Sequence, residues 1–239
     1  MSVAHAELSR PLVIAHRGVH DTGAVENTLA AFELAADLGA DMIELDVRRT
    51  GRGELAVLHD DNVDGVTLAS GSLDELERRT GFRPPLLAEV LSWARGRIGL
   101  DVELKEDGYV DQVVALLADF AAPGSELIVT SFLEPVVAQL TAAMPLTQCG
   151  LLLAGSALRA TDRARACGAT IVLPEAQLVD EGLIAETSKA GLPLIVWDFL
   201  AAEHVALIEV PILRGVITDD LPGSLAARAA AAQLGQRHR

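Results

Sequence analysis

Short apolar runs alternate along the chain with longer segments of helical periodicity. The predicted strands span residues 12–16, 42–47, 54–59, 98–105, 126–131, 148–153, 170–173, 194–197 and 215–218. Most are rich in Val, Ile and Leu throughout, which is typical of strands covered on both faces. Among the intervening segments, residues 27–38 place Leu29, Phe32 and Ala36 on one stripe, and Gly39 ends that predicted helix.

Further helices are predicted at residues 110–120 and 134–143, from Asp180 or Glu181 to Gly191, and at residues 225–239, an Ala-rich closing helix with a frayed basic tail. About eight βα units with one extra early strand, residues 54–59, predict a parallel sheet. Their number and the chain length favour a TIM (β/α)8 barrel with a short insertion between the second and third strands, forming a single domain over residues 1–239. An open doubly wound sheet is the alternative, although the turn HRGVHDTG after the first strand lacks the GxGxxG of a dinucleotide site.

Charge and composition narrow the possible partners. The 239 residues include 34 acidic and 19 basic side chains, which give a formal net charge of −15. Half of all residues are apolar. An acidic chain lacks the basic footprint that nucleic acids and anionic membranes require, and the apolar fraction excludes intrinsic disorder. We therefore expect a small-molecule substrate and no nucleic-acid partner; the oligomeric state stays open.

Two observations bear on the cellular compartment. The N-terminal MSVAHAELSR does not show the basic and apolar pattern of a secretory signal, so we expect none, and no apolar run approaches the roughly 20 residues that span a bilayer. Cys149 and Cys167 are the only thiols, too few for a disulfide framework, and we expect both to be free structural thiols. The chain is expected to be soluble and cytoplasmic, without a stable membrane anchor.

Titratable residues cluster at the ends of the early predicted strands. In a (β/α)8 barrel the catalytic groups lie at the carboxyl ends of the strands. The residues found there are His16, Arg17, Glu44, Asp46, His59, Glu103 and Lys105. These positions together predict one active site at the barrel mouth.

Three of these side chains are carboxylates that strand geometry brings together. Residues i and i+2 share a strand face, so Glu44 and Asp46 point the same way, as do Glu103 and Lys105. Three converging carboxylates repel one another unless a cation joins them, and oxygen ligands suit Mg²⁺ or Ca²⁺. The alternative is structural: Glu44 and Asp46 could instead form buried ion pairs with Arg48, Arg49 or Lys105.

The remaining strand-end residues suit phosphate chemistry. A histidine side chain can act as a general base or as a general acid near neutral pH. With two histidines, His16 and His59, one could act as the base and the other as the acid. Arg17 offers a planar fork for phosphate oxygens, and Lys105 offers a point charge. This set favours phosphodiester cleavage over acyl or glycosyl transfer.

The same residues resemble the glycerophosphodiester phosphodiesterase family. Residues 14–61, IAHRGVHDTGAVENTLAAFELAADLGADMIELDVRRTGRGELAVLHDD, resemble its N-terminal signature: the HRG turn, the ENT-led helix, the ExD pair and the HD dipeptide. VELK at 102–105, SF at 131–132, VW at 196–197 and GVITDDLPG at 215–223 are similar to later family markers in the expected order. The resemblance implies a TIM barrel that hydrolyses glycerophosphodiesters to an alcohol and glycerol 3-phosphate with a divalent metal.

Position by position, the resemblance implies roles for the strand-end residues. Glu44, Asp46 and Glu103 become ligands of one divalent cation, Mg²⁺ or Ca²⁺. His16 and His59 become the catalytic acid–base pair.

The resemblance also implies a substrate site. Arg17 and Lys105 would hold the phosphoryl oxygens, and Trp197 would line the substrate pocket, although a packing role suits that side chain as well. Residues 26–28 would brace the first loop.

The chain departs from the family pattern where the alcohol would bind. The stretch between His59 and Glu103 is short, VDGVTLASG follows the HD dipeptide in place of an Arg-Thr pair, and Asp198 stands where a Thr-x-Asn continuation would begin. The identity of the released alcohol therefore stays open.

Three alternatives in function remain at this point. Glycoside hydrolysis also uses paired carboxylates in barrels, but it would leave both histidines idle. A barrel that binds phospholigands without catalysis would not need the full set of histidines and carboxylates. A lysophospholipase D-type phosphodiesterase acting on lipids would share the same site.

Overall fold

A computed structural model describes residues 10–20, 23–121 and 126–237. Its strands, in chain order, are β1 (Leu12–His16), β2 (Met42–Arg49), β3 (Leu55–Val57), β4 (Asn62–Val63), β5 (Val66–Thr67), β6 (Gly99–Leu104), β7 (Leu127–Ser131), β8 (Gln148–Leu153), β9 (Ile171–Pro174), β10 (Leu194–Val196) and β11 (Leu213–Thr218). Eight of these strands, all except β3, β4 and β5, are parallel to their neighbours, in the order β1-β11-β10-β9-β8-β7-β6-β2. Pairing of β1 with β2 closes them into a barrel. The predicted TIM barrel is confirmed.

Helices cover the outside of the barrel. They are α1 (Leu29–Leu38), α2 (Leu73–Thr80), α3 (Leu87–Ala94), α4 (Val110–Leu117), α5 (Glu134–Ala143), α6 (Ala160–Cys167), α7 (Glu181–Ala190), α8 (Ala201–His204) and α9 (Leu221–Arg237), with 3₁₀ turns at Ala176–Leu178 and Val205–Glu209. Among the described helices, none is long and apolar enough to cross a membrane.

The first helix begins later than the periodicity predicts. Asn27 has a φ of 57°, which is outside the right-handed helical region, and it ends the preceding turn. Thr28 then caps the helix, its hydroxyl oxygen accepting a hydrogen bond from Ala31 N at 3.3 Å. The helix ends as predicted at Gly39, which adopts the left-handed conformation. The Asn27 side chain therefore lies outside the helix and can contact the carboxyl end of β2.

Two apolar layers hold the barrel. Between sheet and helices, the outward-facing strand residues pack against the helix stripes, as Val13 and Ala15 do against Phe32 and Ala35. Inside the barrel, a smaller cluster fills the axis: Ile14, Met42, Ile128, Leu152, Ile171, Leu173, Ile195 and Ile217. Since alternate residues share a face, the next inward positions along the same strands lie at the carboxyl-end mouth. These positions carry the polar residues of the site.

The insertion between the second and third barrel strands is a small unit with its own core. β3 runs antiparallel to the end of β2, and β4 pairs with β5 in a hairpin. The side chains packed beneath this hairpin and α2 are Leu58, Val66, Leu68 and Leu76, with Val63 and Phe82 at the edge. The sequence pattern predicted the extra strand but not the hairpin, because strands of two residues leave no periodicity to read.

The remaining strand and helix predictions agree with the structure to within a few residues. The closing helix starts at Leu221 and reaches Arg237, so the final two residues of the predicted tail lie outside the described residues. The first nine residues of the N-terminal segment lie outside them as well.

Both cysteines are buried free thiols, and we expect them to be unreactive in the folded protein. Burial raises the pKa of Cys149 to about 11, so at pH 8 the nucleophilic thiolate is scarce. A thiol titration with Ellman's reagent at pH 8 should find almost no fast-reacting sulfur in the native protein and both sulfurs in denaturant. Rapid labelling of a native thiol would contradict this expectation.

Candidate active site

The HRG turn after β1 is the first element of the site. Arg17 has a φ of 55° and Gly18 a φ of 84°, so the chain reverses sharply through the left-handed region. A Cβ on Gly18 would stand 2.7 Å from the Ala31 carbonyl carbon, which explains why glycine is needed here. Arg17 N donates to a Glu44 carboxylate oxygen at 3.2 Å, which ties the turn to β2.

Register places four inward carboxylates on two adjacent strands. Glu44 on β2 lies beside Asp101 on β6, and Asp46 lies beside Glu103. All four are buried, Asp46 and Asp101 completely. One carboxylate oxygen each from Glu44, Asp46 and Glu103 lies within 4.8 Å of the others. The structure thus brings together the three residues predicted as metal ligands.

Asp46 is the most strongly held of these carboxylates. Asn27 Nδ2 donates to Asp46 Oδ2 at 2.8 Å, and Asn27 Oδ1 accepts from the Asp46 backbone N at 3.3 Å. Arg17 Nε lies 3.2 Å from Asp46 Oδ2, and Lys105 Nζ lies 3.2 Å from Asp46 Oδ1. Burial alone would raise the pKa of Asp46, but Lys105, Arg17 and the Asn27 hydrogen bond outweigh it and lower that pKa.

The other two carboxylates of the cluster are destabilised as anions. Burial, followed by repulsion from Asp46 and Glu103, raises the pKa of Glu44 well above its ordinary value. Burial also raises the pKa of Glu103, although Lys105 Nζ lies 2.8 Å from one of its oxygens. The positive charge of Arg17 and Lys105 therefore does not compensate all three carboxylates.

The carboxylate oxygens of the cluster fit a hard divalent cation. Asp46 Oδ1 and Glu103 Oε1 are buried, and Lys105 Nζ lies 3.2 Å from the first and 2.8 Å from the second. Arg17 and Lys105 supply two positive charges to three buried carboxylates, and a bound divalent cation would supply the charge that is missing.

The structural alternative, in which the acidic residues only form ion pairs, accounts for part of the cluster. Lys105 does pair with Asp46 and Glu103. Arg48 instead pairs with Glu106 and donates to the His59 carbonyl, and Arg49 donates to the Gly108 carbonyl. These two arginines therefore pair outside the carboxylate cluster, whose cationic partners are Lys105 and Arg17.

Each histidine of the site is anchored through Nδ1 by a carboxylate. His16 Nδ1 lies 2.9 Å from Asp219 Oδ1, and its Nε2 lies 3.9 Å from Glu44 Oε2. His59 Nδ1 lies 2.8 Å from Asp60 Oδ1. In both side chains the second ring nitrogen is left for the pocket that the two histidines line.

A pocket of about 220 Å³ joins these groups at the barrel mouth. Seven of the eight sequence-predicted site residues line it, namely His16, Arg17, Glu44, His59, Glu103, Lys105 and Trp197, and Asp46 lies beneath. Trp197 Nε1 donates to the Leu173 carbonyl at 2.9 Å, and its ring meets Phe132 edge to face with centroids 5.6 Å apart. Trp197 thus packs against the barrel and lines the pocket at once.

Two acidic residues of the site were missed by the sequence reasoning: Asp101, which lines the pocket, and Asp219, which holds His16. Asn27, which the family resemblance placed in a brace of the first loop, holds Asp46 through its side-chain amide. Asp101 was within reach of the i, i+2 rule, since it precedes Glu103 on the same face. Burial raises the pKa of Asp101 to about 8, against an opposing hydrogen bond from Thr130 Oγ1 at 3.0 Å.

A pocket at the mouth of a (β/α)8 barrel that is lined by two histidines, two cationic side chains and buried carboxylates fits the barrel hydrolases of phosphate esters. The profile of the Glycerophosphoryl diester phosphodiesterase family matches residues 16–222. The chain belongs to this family of phosphoric diester hydrolases, and the resemblance inferred from the sequence is confirmed.

Individual relatives agree with this family. The Bacillus subtilis (strain 168) protein YhdW is 31% identical over 233 residues, which cover 87% of this chain and 93% of the relative. A glycerophosphodiester phosphodiesterase of Caldanaerobacter subterraneus subsp. tengcongensis is 29% identical over 232 residues, 88% of this chain and 95% of the relative. An Oleispira antarctica phosphodiesterase, solved in complex with the product sn-glycerol-3-phosphate, shares the fold with a TM-score of 0.79 at 22% identity, covering 91% of this chain and 96% of that one.

Proposed function

We propose that this protein hydrolyses glycerophosphodiesters to an alcohol and glycerol 3-phosphate, with one divalent cation and two histidines. The observation that carries the proposal is the single pocket at the barrel mouth, which brings His16, His59, Arg17 and Lys105 beside the buried carboxylates. The product named for the Oleispira antarctica relative, sn-glycerol-3-phosphate, supports the same substrate class. Residues 1–239 are proposed to act as one domain.

Glu44, Asp46 and Glu103 would hold the cation. One carboxylate oxygen of each lies within 4.8 Å of the others and the side chains are buried, which suits an oxygen-ligated ion such as Mg²⁺ or Ca²⁺. When bound, the cation supplies Lewis-acid stabilisation of the charge on the phosphoryl oxygens. The choice between the two ions is left to the metal titration described in the Discussion.

His16 and His59 would move the protons. One removes a proton from the attacking oxygen, which belongs to water or to a neighbouring glycerol hydroxyl, and the other protonates the departing alkoxide. Both present the ring nitrogen opposite their carboxylate partner to the pocket.

Arg17 and Lys105 would orient the phosphodiester. Their side chains line the pocket, and the carboxylates around them hold the pKa of each above its ordinary value although burial opposes this, so both stay charged at neutral pH. Trp197 would form the apolar wall against which the organic part of the substrate rests.

Purified protein should release glycerol 3-phosphate from glycerophosphocholine in the presence of Mg²⁺ or Ca²⁺. The product can be followed by coupling to glycerol-3-phosphate dehydrogenase and reading NADH absorbance, with kcat expected between about 1 and 10³ s⁻¹. Glycerophosphoethanolamine is assayed in the same way, lysophosphatidylcholine by the choline it releases, and a p-nitrophenyl glycoside by the p-nitrophenolate it releases. Preferred cleavage of lysophosphatidylcholine would replace the proposal with a lysophospholipase D, and absence of turnover on every phosphodiester would contradict it.

A further inference from the structure

Asp219 stands at the end of the last barrel strand, next to His16. Parallel pairing of β1 with β11 aligns Ala15 with Thr218, so the residues that follow on the two strands come side by side at the barrel mouth. Asp219 Oδ1 is 2.9 Å from His16 Nδ1. The same oxygen lies 3.3 Å from His20 Nε2 in the turn that follows. A carboxylate thus spans from the closing strand to two histidines of the first loop.

The backbone on both sides of Asp219 is fixed by hydrogen bonds. Thr218 Oγ1 donates to the Phe199 carbonyl at 2.7 Å and accepts from Asp220 N at 3.0 Å. Asp220 in turn caps α9, its Oδ1 accepting from Gly223 N at 3.0 Å. The backbone position of Asp219 is therefore set by the fold, and its carboxylate reaches His16 from there.

We propose that Asp219 is a positioning residue for His16: it keeps the proton of the neutral imidazole on Nδ1, so that His16 exchanges protons with the substrate through Nε2. The proposal rests on the hydrolytic function proposed above. It assigns a role to a residue that the metal cluster and the phosphate-binding side chains do not involve.

The chemistry of the contact supports this assignment. An ionised carboxylate can only accept hydrogen bonds, so the ring nitrogen that faces it must carry the proton. The hydrogen bond from His16 holds the pKa of Asp219 below its ordinary value, so the carboxylate is ionised at neutral pH. The free Nε2 lone pair then points to the Glu44 side of the pocket, where Nε2 lies 3.9 Å from the carboxylate.

The tautomer can be observed directly. With ¹⁵N-labelled histidine at pH 8, long-range ¹H–¹⁵N correlation spectra distinguish Nδ1–H from Nε2–H rings, and the His16 signals are assigned from a His16→Asn sample. We expect His16 to be an Nδ1–H tautomer in the wild-type protein and to shift toward Nε2–H, the form favoured in water, in Asp219→Ala. An Nε2–H ring in the wild-type protein would overturn the proposal.

Kinetics provide the second readout. Asp219→Ala should lower kcat about 10- to 100-fold, a part of what a complete loss of general acid–base catalysis costs. KM and the dissociation constant for Mg²⁺ should stay within about twofold of wild type, because Asp219 holds neither substrate nor metal. The kcat of Asp219→Asn, which keeps an acceptor oxygen, should lie between those of the wild-type protein and Asp219→Ala. Asp219→Glu, which keeps the carboxylate, should recover part of the rate lost in Asp219→Ala. A wild-type kcat in folded Asp219→Ala would overturn the proposal.

Asp220→Asn is the matched control. It removes one negative charge at the neighbouring position while keeping a side chain that caps helices well, and it does not contact His16. Its kcat and its His16 tautomer should both remain those of the wild-type protein.

If Asp219→Ala fails to fold, the His16 tautomer of the wild-type protein and the kcat of Asp219→Asn still test whether Asp219 positions His16. If the wild-type protein turns over no glycerophosphodiester, the proposed function fails, whereas the spectra still report whether Asp219 sets the tautomer.

Discussion

His16→Ala and His59→Ala are each expected to lower kcat on glycerophosphocholine by about 10²- to 10⁴-fold, the range for the loss of a general acid or base. Each histidine has Nδ1 engaged by a carboxylate and lines the substrate pocket. Alanine removes the ring nitrogen that would exchange a proton with the substrate. The effect should fall on kcat much more than on KM, because the interaction lost is made in the transition state.

The fold should survive both replacements. His16 and His59 lie at the mouth, with side chains 21% and 34% exposed, and neither belongs to the apolar clusters that hold the barrel. Thermal unfolding and the Mg²⁺ dissociation constant measured by calorimetry should therefore stay close to wild type. His204→Gln, on the short helix α8, is the matched control and should leave kcat within about twofold. A purified, folded His16→Ala or His59→Ala enzyme with near-normal turnover would contradict the acid–base assignment.

Much of this site follows from local sequence, since most of its residues occupy the ends of predicted strands. The i, i+2 rule places Glu44 with Asp46 and Glu103 with Lys105, and parallel pairing of β2 with β6 then brings the two pairs together. No knowledge of the tertiary structure is needed beyond the assumption of a barrel. The short insertion was also predicted, because it interrupts the βα alternation.

The partners that hold these residues could not be predicted in the same way. Asp219 is 203 residues from His16 along the chain, and only closure of the barrel by β1 and β11 makes them neighbours. Asn27 reads as the start of a helix, whereas a left-handed backbone turns its amide toward Asp46. Both contacts depend on a register or a dihedral angle that periodicity does not encode.

Removal of divalent metal is expected to abolish turnover, and Mg²⁺ or Ca²⁺ should restore it. Protein that has been treated with EDTA and then freed of the chelator should recover activity as metal is added, and the activity should saturate with metal concentration. Comparison of the Mg²⁺ and Ca²⁺ curves identifies the preferred cation. Calorimetric binding of the metal alone, without substrate, should give a stoichiometry near one. Binding should also raise the melting temperature, because a ligand that binds only the native state stabilises it.

Glu103→Gln should weaken this binding strongly. Gln keeps the size of the side chain but removes one of the three anionic ligands proposed above, and it leaves Lys105 facing Asp46 alone. We expect at least about a tenfold rise in the metal dissociation constant, and a fall in kcat/KM that added metal partly reverses. Glu33→Gln removes an exposed carboxylate on the outer face of α1, where it faces Arg97, and should change neither quantity.

The metal-free stability of Glu103→Gln separates a metal site from a purely structural cluster. Burial raises the pKa of Glu103, so its ionised form lowers the stability of the metal-free protein. If the cluster exists to hold a cation, the neutral Gln should leave the free energy of unfolding in EDTA unchanged or higher, while metal-induced stabilisation is lost. If Glu103 serves only as the ion-pair partner of Lys105, the variant should be less stable in EDTA and the wild-type protein should be indifferent to metal. That second pattern would contradict the metal assignment, and it is measured by urea unfolding of both proteins with and without Mg²⁺.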